Sequence, residues 1–326
     1  MLVVGANGAG KTNLLESLHV GTQGFSPRTR GDAQLIRFGE TAAHVGVSGD
    51  SVSSPRIDVL VRADTGKEIR LNGARVATES LRSEVTALVF TPDRLAVVKA
   101  GPGVRRAYVD RALARLLPSR SSSPVEYAAA LGQRNAALRR AAVEASSRAA
   151  VRPWTVQVAD LGAALVDARR QVVSSLSPLF AERAGELGLD GAEVVYEGSP
   201  PSLEALEARL ERDLERGTTG IGPHLDEIRI LSRGRDLRSF GSQGEQRIAV
   251  LALLLAESQL IAGHRPAPPL MLLDDVFSEL DGERSRSLTA LLSAGGQTVI
   301  TATARGAIPG EPRQVLEVTP GRVREV

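Results

Sequence analysis

The sequence contains no cysteine, which removes disulfide frameworks, thiolate metal sites and cysteine nucleophiles together. Its four histidines, at 19, 44, 224 and 264, show no metal-ligand spacing, so no structural zinc is expected. Aromatic residues make up only 3% of the chain. That is too few for a platform on which single-stranded bases stack, and favours backbone contact to duplex for any nucleic acid bound. No apolar run of about 18 residues is present; even the run from Ile248 meets Glu257 after nine residues, so no membrane contact is expected. Met1 to Gly5 show no basic stretch ahead of a long apolar core, hence no secretory signal, and the cytoplasm is the default compartment. Lysine occurs only at 11, 67 and 99, so 37 of the 40 basic residues are arginine.

What is present is ordinary globular composition: 326 residues, 42% hydrophobic and 24% charged. At roughly 100–200 residues per domain this implies one large domain or two. Forty basic against 38 acidic residues leave a net charge of +2, so bulk charge makes no case for nucleic acid. The distribution is less even. Between Val104 and Arg152 ten arginines face only Asp110, Glu126 and Glu144, a local charge of +7. Such a segment is either a duplex-binding face or a solvated surface balanced by acidic neighbours.

Three regions can be told apart. The first, to about residue 88, opens with an apolar stub, a glycine-rich loop and an apolar helix over Asn13–Val20. Alternating runs at Ile57–Val61 and Glu68–Leu71 follow, the second ending in Asn72-Gly73, a hairpin signal. The middle, from about 104 to 216, has helical spacing. Breaks are expected at Pro118–Pro124, Pro153, Pro178 and Gly198–Pro201, so that no long coiled coil survives. The third returns to short strands: a helix from Ile248 to Ile261, a strand at Leu270–Leu273, a helix at Gly282–Leu292 and a strand at Thr298–Thr301.

Gly5-Ala6-Asn7-Gly8-Ala9-Gly10-Lys11-Thr12 fits G-x-x-x-x-G-K-[ST] in full, between an apolar strand and a helix. In such a loop backbone N–H groups turn inward around phosphate oxygens and the helix that follows, beginning near Asn13, points its positive end at them. Lys11 would reach the β- and γ-phosphates, and the Thr12 hydroxyl would hold Mg²⁺. Leu270–Leu273 then ends in Asp274-Asp275. Beside a phosphate loop, Asp274 would supply the metal-side carboxylate and Asp275 would polarise the attacking water. Ser242-Gln243-Gly244-Glu245 opens the third-region helix. It admits two readings: a capping box, with Ser242 as N-cap and Glu245 three residues on, or an anion site at a small-residue helix N-terminus.

The order of phosphate loop, signature helix, acidic strand and Ser278-Glu279-Leu280-Asp281 resembles the ABC/SMC-type ATPase heads. The stretches LIRFG at 35–39, FTPDRLAVV at 90–98, GPGVRRAYVD at 101–110, QRNAALR at 133–139 and GPH at 222–224 make it similar to the RecF family in particular. The resemblance implies an α/β P-loop head with a mixed sheet, formed by residues 1–88 and 217–326, and an inserted, mostly helical lobe at 89–216. It implies ATP and Mg²⁺ as cofactors and a homodimer that closes around ATP. Lys11, Thr12 and Asp274 of one copy would then face Ser242, Gln243, Gly244 and Glu245 of the other, with Asp275, Lys11 and Ser242 serving the chemistry. It further implies binding to double-stranded or junction DNA, and assistance to RecA alongside RecR and RecO. Arg105, Arg106, Arg139 and Arg140 are the candidate DNA contacts within the +7 segment. Departures from the family pattern are Leu225-Asp226-Glu227 where Arg-Asp-Asp usually follows GPH, Ala100 for a glycine, and a start inside the strand that feeds the loop. The last implies a family opening strand missing from this chain. A transporter ATPase subunit is the rival reading, but Asp275 stands where it would carry glutamate and Thr303 stands near where it would carry a switch histidine. A nucleotide-gated DNA clamp that hardly hydrolyses is the other, because aspartate positions water from a shorter side chain; ATPase activity is expected to be weak.

Overall fold

In the computed structural model, residues 1–29, 31–49, 54–143 and 145–326 are described; Glu144, one of the three acids of the basic segment, lies outside them. The elements run β1 (Leu2–Val4), α1 (Lys11–Gln23), β2 (Ala42–Val47), β3 (Ile57–Arg62), β4 (Gly66–Leu71), β5 (Ala74–Arg75), α2 (Thr78–Glu84) and β6 (Ala87–Phe90). There follow α3 (Ala96–Lys99), α4 (Pro102–Leu116), α5 (Ser123–Val143), α6 (Val151–Glu186), β7 (Ala192–Glu197), α7 (Leu203–Ala208), α8 (Leu210–Arg216), β8 (Glu227–Ser232), β9 (Arg235–Asp236), α9 (Leu237–Phe240) and α10 (Gln243–His264). The chain ends with β10 (Leu270–Leu273), α11 (Gly282–Ser293), β11 (Thr298–Ala302), β12 (Val315–Thr319) and β13 (Arg322–Glu325). Two compact units result: Met1–Arg94 with Arg265–Val326, and Leu95–His264.

The first unit holds a six-stranded sheet in the order β13-β12-β1-β11-β10-β6. All neighbours are parallel except the β12–β13 hairpin, so the sheet is mixed, as expected. Its central strands are short apolar runs because both faces are covered: Leu2, Val3, Leu272 and Leu273 and every residue of β6 are buried. β11 lies between β1 and β10, so the loop after β1 and the acids after β10 emerge one strand apart at the carboxyl ends of parallel strands. Ligands of open α/β sheets bind at that edge. A separate antiparallel sheet, β2-β3-β4-β5, carries the hairpin expected at Asn72-Gly73. Both residues have positive φ, 51° and 84°, as a tight primed turn requires.

The second unit is mostly helical, with α6 packed along α5, α10 and β7. Its far boundary differs from the expected one at 216/217. β8 pairs with β7 over six residues, from Ala192↔Ser232 to Glu197↔Glu227, and α10 lies against α6. The signature helix therefore folds with the helical unit. A second difference concerns proline. α6 runs unbroken for 36 residues with Pro178 inside it, although an interior proline costs about 3 kcal/mol. Val172, Val173, Leu176 and Phe180 are all buried around it, at about 1.5–3 kcal/mol for each fully buried side chain, so packing outweighs the lost hydrogen bond. Pro153 sits in the first turn of α6, where its missing N–H costs nothing.

α10 bears on the expectation of no membrane contact. Its 22 residues are long and apolar enough to cross a membrane by composition, yet 67% of the apolar window is buried inside the protein. Continuous burial from Gln246 to Glu257 is what makes it apolar all round.

Candidate functional site

The phosphate loop owes its shape to three glycines. Gly8 and Gly10 adopt φ of 81° and 105°, values that a side chain disfavours. Gly5 passes so close to the Val318 carbonyl that a Cβ there would collide with it. Gly10 is the N-cap of α1 and offers no side-chain cap, so the first-turn N–H groups, including those of Lys11, Thr12 and Asn13, face outward for an anion. The Lys11 ammonium folds back over the loop and donates to the carbonyls of Gly5 at 2.8 Å and Ala6 at 3.1 Å. It thus lies across the concavity that the motif reserves for phosphate. Ala9 is buried and locks the loop to the sheet, while Gly8, Gly10 and Asn13 also border a cavity of about 670 Å³ walled by Leu35, Val45, Val59 and Val61. An apolar body has room there beside the polar loop.

Thr12 and Asp274 are 262 residues apart in sequence and meet directly. The threonine hydroxyl donates to the carboxylate, with its oxygen 3.0 and 3.2 Å from the two carboxylate oxygens. Asp274 is only 7% exposed, and its N–H donates to Phe90 O on β6 at 2.9 Å. This ties the last residue of β6 to Asp274. Among the described residues no three His, Cys, Asp or Glu side chains gather as an all-protein cation cage. Thr12 and Asp274 fit the sparser Mg²⁺ mode, in which one or two protein oxygens act with water and phosphate oxygens. Asp275 follows in the left-handed region, φ 48°. Its N–H donates to Thr301 Oγ1 at 2.9 Å, and its carbonyl accepts from Ser278 Oγ at 3.0 Å.

Ser242 and Glu245 make the reciprocal contacts of a capping box: Ser242 N–H to Glu245 Oε2 at 2.8 Å and Glu245 N–H to Ser242 Oγ at 3.3 Å. Ser242 is exposed and Glu245 half-buried at the start of α10, so cap and anion site are compatible uses of one helix end.

The basic segment is largely neutralised by acids from elsewhere in its unit. Arg105, 4% exposed, donates from both Nε and Nη2 to Glu227 and from Nη1 to the Ala100 carbonyl. Burial rules it out as a DNA contact. Arg134 is fully buried on Asp213, Thr155 and Thr219. Arg115, Arg120, Arg148 and Arg152 pair with Glu257, Asp167, Glu211 and Glu207. Arg139 and Arg140 are exposed at the end of α5, and Arg139 donates to the Gly217 carbonyl at 3.4 Å. Arg106 is half-buried and donates to Asp226 O at 2.7 Å.

The same unit pins the segment containing Gly222-Pro223-His224. Arg169 grips Asp110 through two bonds of 2.7 and 2.8 Å and donates to Pro223 O. The Tyr127 phenolic Oη and His224 Nδ1 lie 2.7 Å apart. Burial holds the His224 imidazole below its ordinary pKa, with Arg106 adding to the effect, and burial raises that of the Tyr127 phenol. No sequence signal marked Thr301 or Arg169 for these positions, since each acts on a residue far away in the chain.

The pattern of the RecF/RecN/SMC N terminal domain family matches residues 1–322. The chain is 38% identical over 330 residues to the DNA replication and repair protein RecF of Anaeromyxobacter dehalogenans strain 2CP-C, covering 93% of this chain and 86% of that one. It is 31% identical over 344 residues to the RecF protein of Synechococcus sp. strain JA-3-3Ab, covering 99% and 90%. Among solved structures, the recombination mediator protein RecF with ATP, in the RecFOR pathway, superposes with a TM-score of 0.86 at 27% identity, covering 100% of this chain and 91% of that one. An Smc head bound to the C-winged helix domain of ScpA gives a TM-score of 0.59 at 16% identity, with 100% and 88% covered, a likeness of fold alone.

Proposed function

This chain belongs to the RecF family, within the RecF/RecN/SMC N-terminal-domain group of ATP-binding DNA replication and repair proteins, and on that premise we propose that it works as an ATP-switched DNA clamp of two copies. The observation that carries the reading is the meeting of Thr12 and Asp274 beside a loop bridged by the Lys11 ammonium. A triphosphate offers Lys11 anionic acceptors in place of two neutral carbonyls, and charge-assisted hydrogen bonds are about twice as strong as neutral ones. Thr12 and Asp274 would hold Mg²⁺, which when bound would neutralise phosphate charge. Asp275 orients water, and its short side chain accords with slow, DNA-stimulated turnover.

Each nucleotide is sandwiched, with Ser242, Gln243, Gly244 and Glu245 of a second copy gripping the γ-phosphate through the N-terminus of α10. Only ATP bridges both surfaces, so ATP favours closure by its differential affinity and hydrolysis removes that preference. The clamp acts in the cytoplasm on double-stranded or junction DNA and, with RecR and RecO, assists RecA; the role as a recombination mediator is supported by the structural neighbour's place in the RecFOR pathway.

Sedimentation with ATP and Mg²⁺, with and without a gapped duplex, tests the proposal against Ser242→Arg. The expected result is a wild-type dimer that duplex tightens, and a variant that binds ATP as a monomer. A variant that dimerises like the wild type places the signature motif outside the interface. A wild-type protein that binds ATP and stays monomeric refutes the sandwich.

A further inference from the structure

Thr301 is nearly the last residue of β11, the strand between the one that feeds the phosphate loop and the one that delivers the acids. It is 1% exposed. Its hydroxyl touches both acids: Oγ1 donates to Asp274 Oδ1 at 2.6 Å and accepts the Asp275 N–H at 2.9 Å. The direction of these bonds follows from the groups. An amide N–H can only donate, so the single hydroxyl proton of Thr301 is left for the carboxylate.

We propose that Thr301 is a positioning residue that uses one hydroxyl to aim the Asp274 carboxylate and the Asp275 main chain together. The inference rests on the nucleotide and Mg²⁺ reading given above. Two consequences follow from the bonding. Asp274 is held from opposite elements, by Thr301 on β11 and by Thr12 at the start of α1, so its rotation is fixed before any ligand arrives. Thr12, having given its proton to Asp274, presents only lone pairs to whatever else approaches, the state that a Mg²⁺ ligand needs. On the other side, Asp275 occupies a left-handed conformation that few residues other than glycine adopt. Thr301 and Ser278 hold its N–H and its carbonyl. The orientation of the Asp275 main chain is thereby tied to that of Asp274, so a single buried oxygen links the metal side and the water side of the site.

The test compares wild type, Thr301→Val, Thr301→Ala and Thr301→Ser, with Lys11→Ala as control. Affinity for a fluorescent ATP analogue is measured in EDTA. Mn²⁺ is then titrated into the ATP-loaded proteins, and free Mn²⁺ is followed by electron paramagnetic resonance. Removing a partner that orients a metal ligand typically costs 10–100-fold in metal affinity. Thr301→Val and Thr301→Ala should therefore hold Mn²⁺ about 10–100-fold more weakly while binding nucleotide in EDTA like the wild type. Thr301→Ser, which keeps the hydroxyl, should restore the affinity. Wild-type Mn²⁺ affinity in either hydroxyl-free variant overturns the proposal, as does a serine variant as impaired as valine. Should valine prevent folding, alanine asks less of the packing, and the serine comparison stands by itself. A wild-type protein that fails to bind ATP, or a Lys11→Ala protein that binds it equally well, refutes the nucleotide reading instead.

Discussion

Replacing both residues, Arg139→Gln and Arg140→Gln, which removes two positive charges, is the sharpest test of where duplex DNA lies. Both arginines are exposed at the end of α5, and Arg139 donates to Gly217 O at 3.4 Å. Each arginine that neutralises one phosphate contributes about 0.9 to the slope of log K against log salt. Losing both lowers that slope by about 1.8, which at 0.1 M salt amounts to about 60-fold in affinity if the electrostatic part vanishes near 1 M. Between 50 and 200 mM salt the wild type should lose about 10-fold more affinity than the variant. Fluorescence anisotropy of a labelled duplex over a salt series, with ATP and Mg²⁺ present, reads both numbers. ATP affinity in the absence of DNA should not change, because neither residue is among those assigned to the nucleotide, and Arg139 donates instead to Gly217 O. Equal affinity and equal slope in the two proteins would remove these residues from the interface. Arg105 and Arg134 cannot substitute in this experiment, since both are buried in ion pairs and their loss would damage the fold.

Two further expectations concern the helical unit. Asp213→Ala leaves the fully buried Arg134 charge without its carboxylate and should cost about 3–5 kcal/mol in urea unfolding. Replacing both partners by apolar residues of similar volume, as in Arg134→Met with Asp213→Leu, should recover most of that loss, and a single variant losing under about 1 kcal/mol would contradict the assignment. The second is a pH dependence. Because the folded His224 pKa lies below its ordinary value, the unfolded chain binds a proton more readily, and stability must fall as pH drops below about 6.5. The urea midpoint should decline from pH 7.5 to 5.5 in the wild type and decline less in His224→Gln; identical profiles would show that the imidazole is not linked to folding.

Sequence alone determined what depends on a few adjacent residues. The eight residues from Gly5 to Thr12 specify their loop because Gly8 and Gly10 can enter positive φ and Gly5 can approach a carbonyl. Asn72-Gly73 specifies a hairpin by the same conformational freedom, and Leu270 to Leu273 specify a buried strand by unbroken apolarity. The capping geometry at Ser242 and Glu245 was legible from their spacing of three. Tertiary structure decided everything that depends on cancellation or on meeting across the sheet. A run of ten arginines has a local charge that can be counted, but Glu227, Asp213, Glu257 and Glu211, which neutralise four of them, come from distant elements. Pro178 carries a local signal to stop, overruled by the packing of α6 on its neighbours. Thr301 carries no signal at all. It joins the two acids because parallel strand order sets β11 between β1 and β10, and only the assembled sheet brings a buried hydroxyl within hydrogen-bond reach of both.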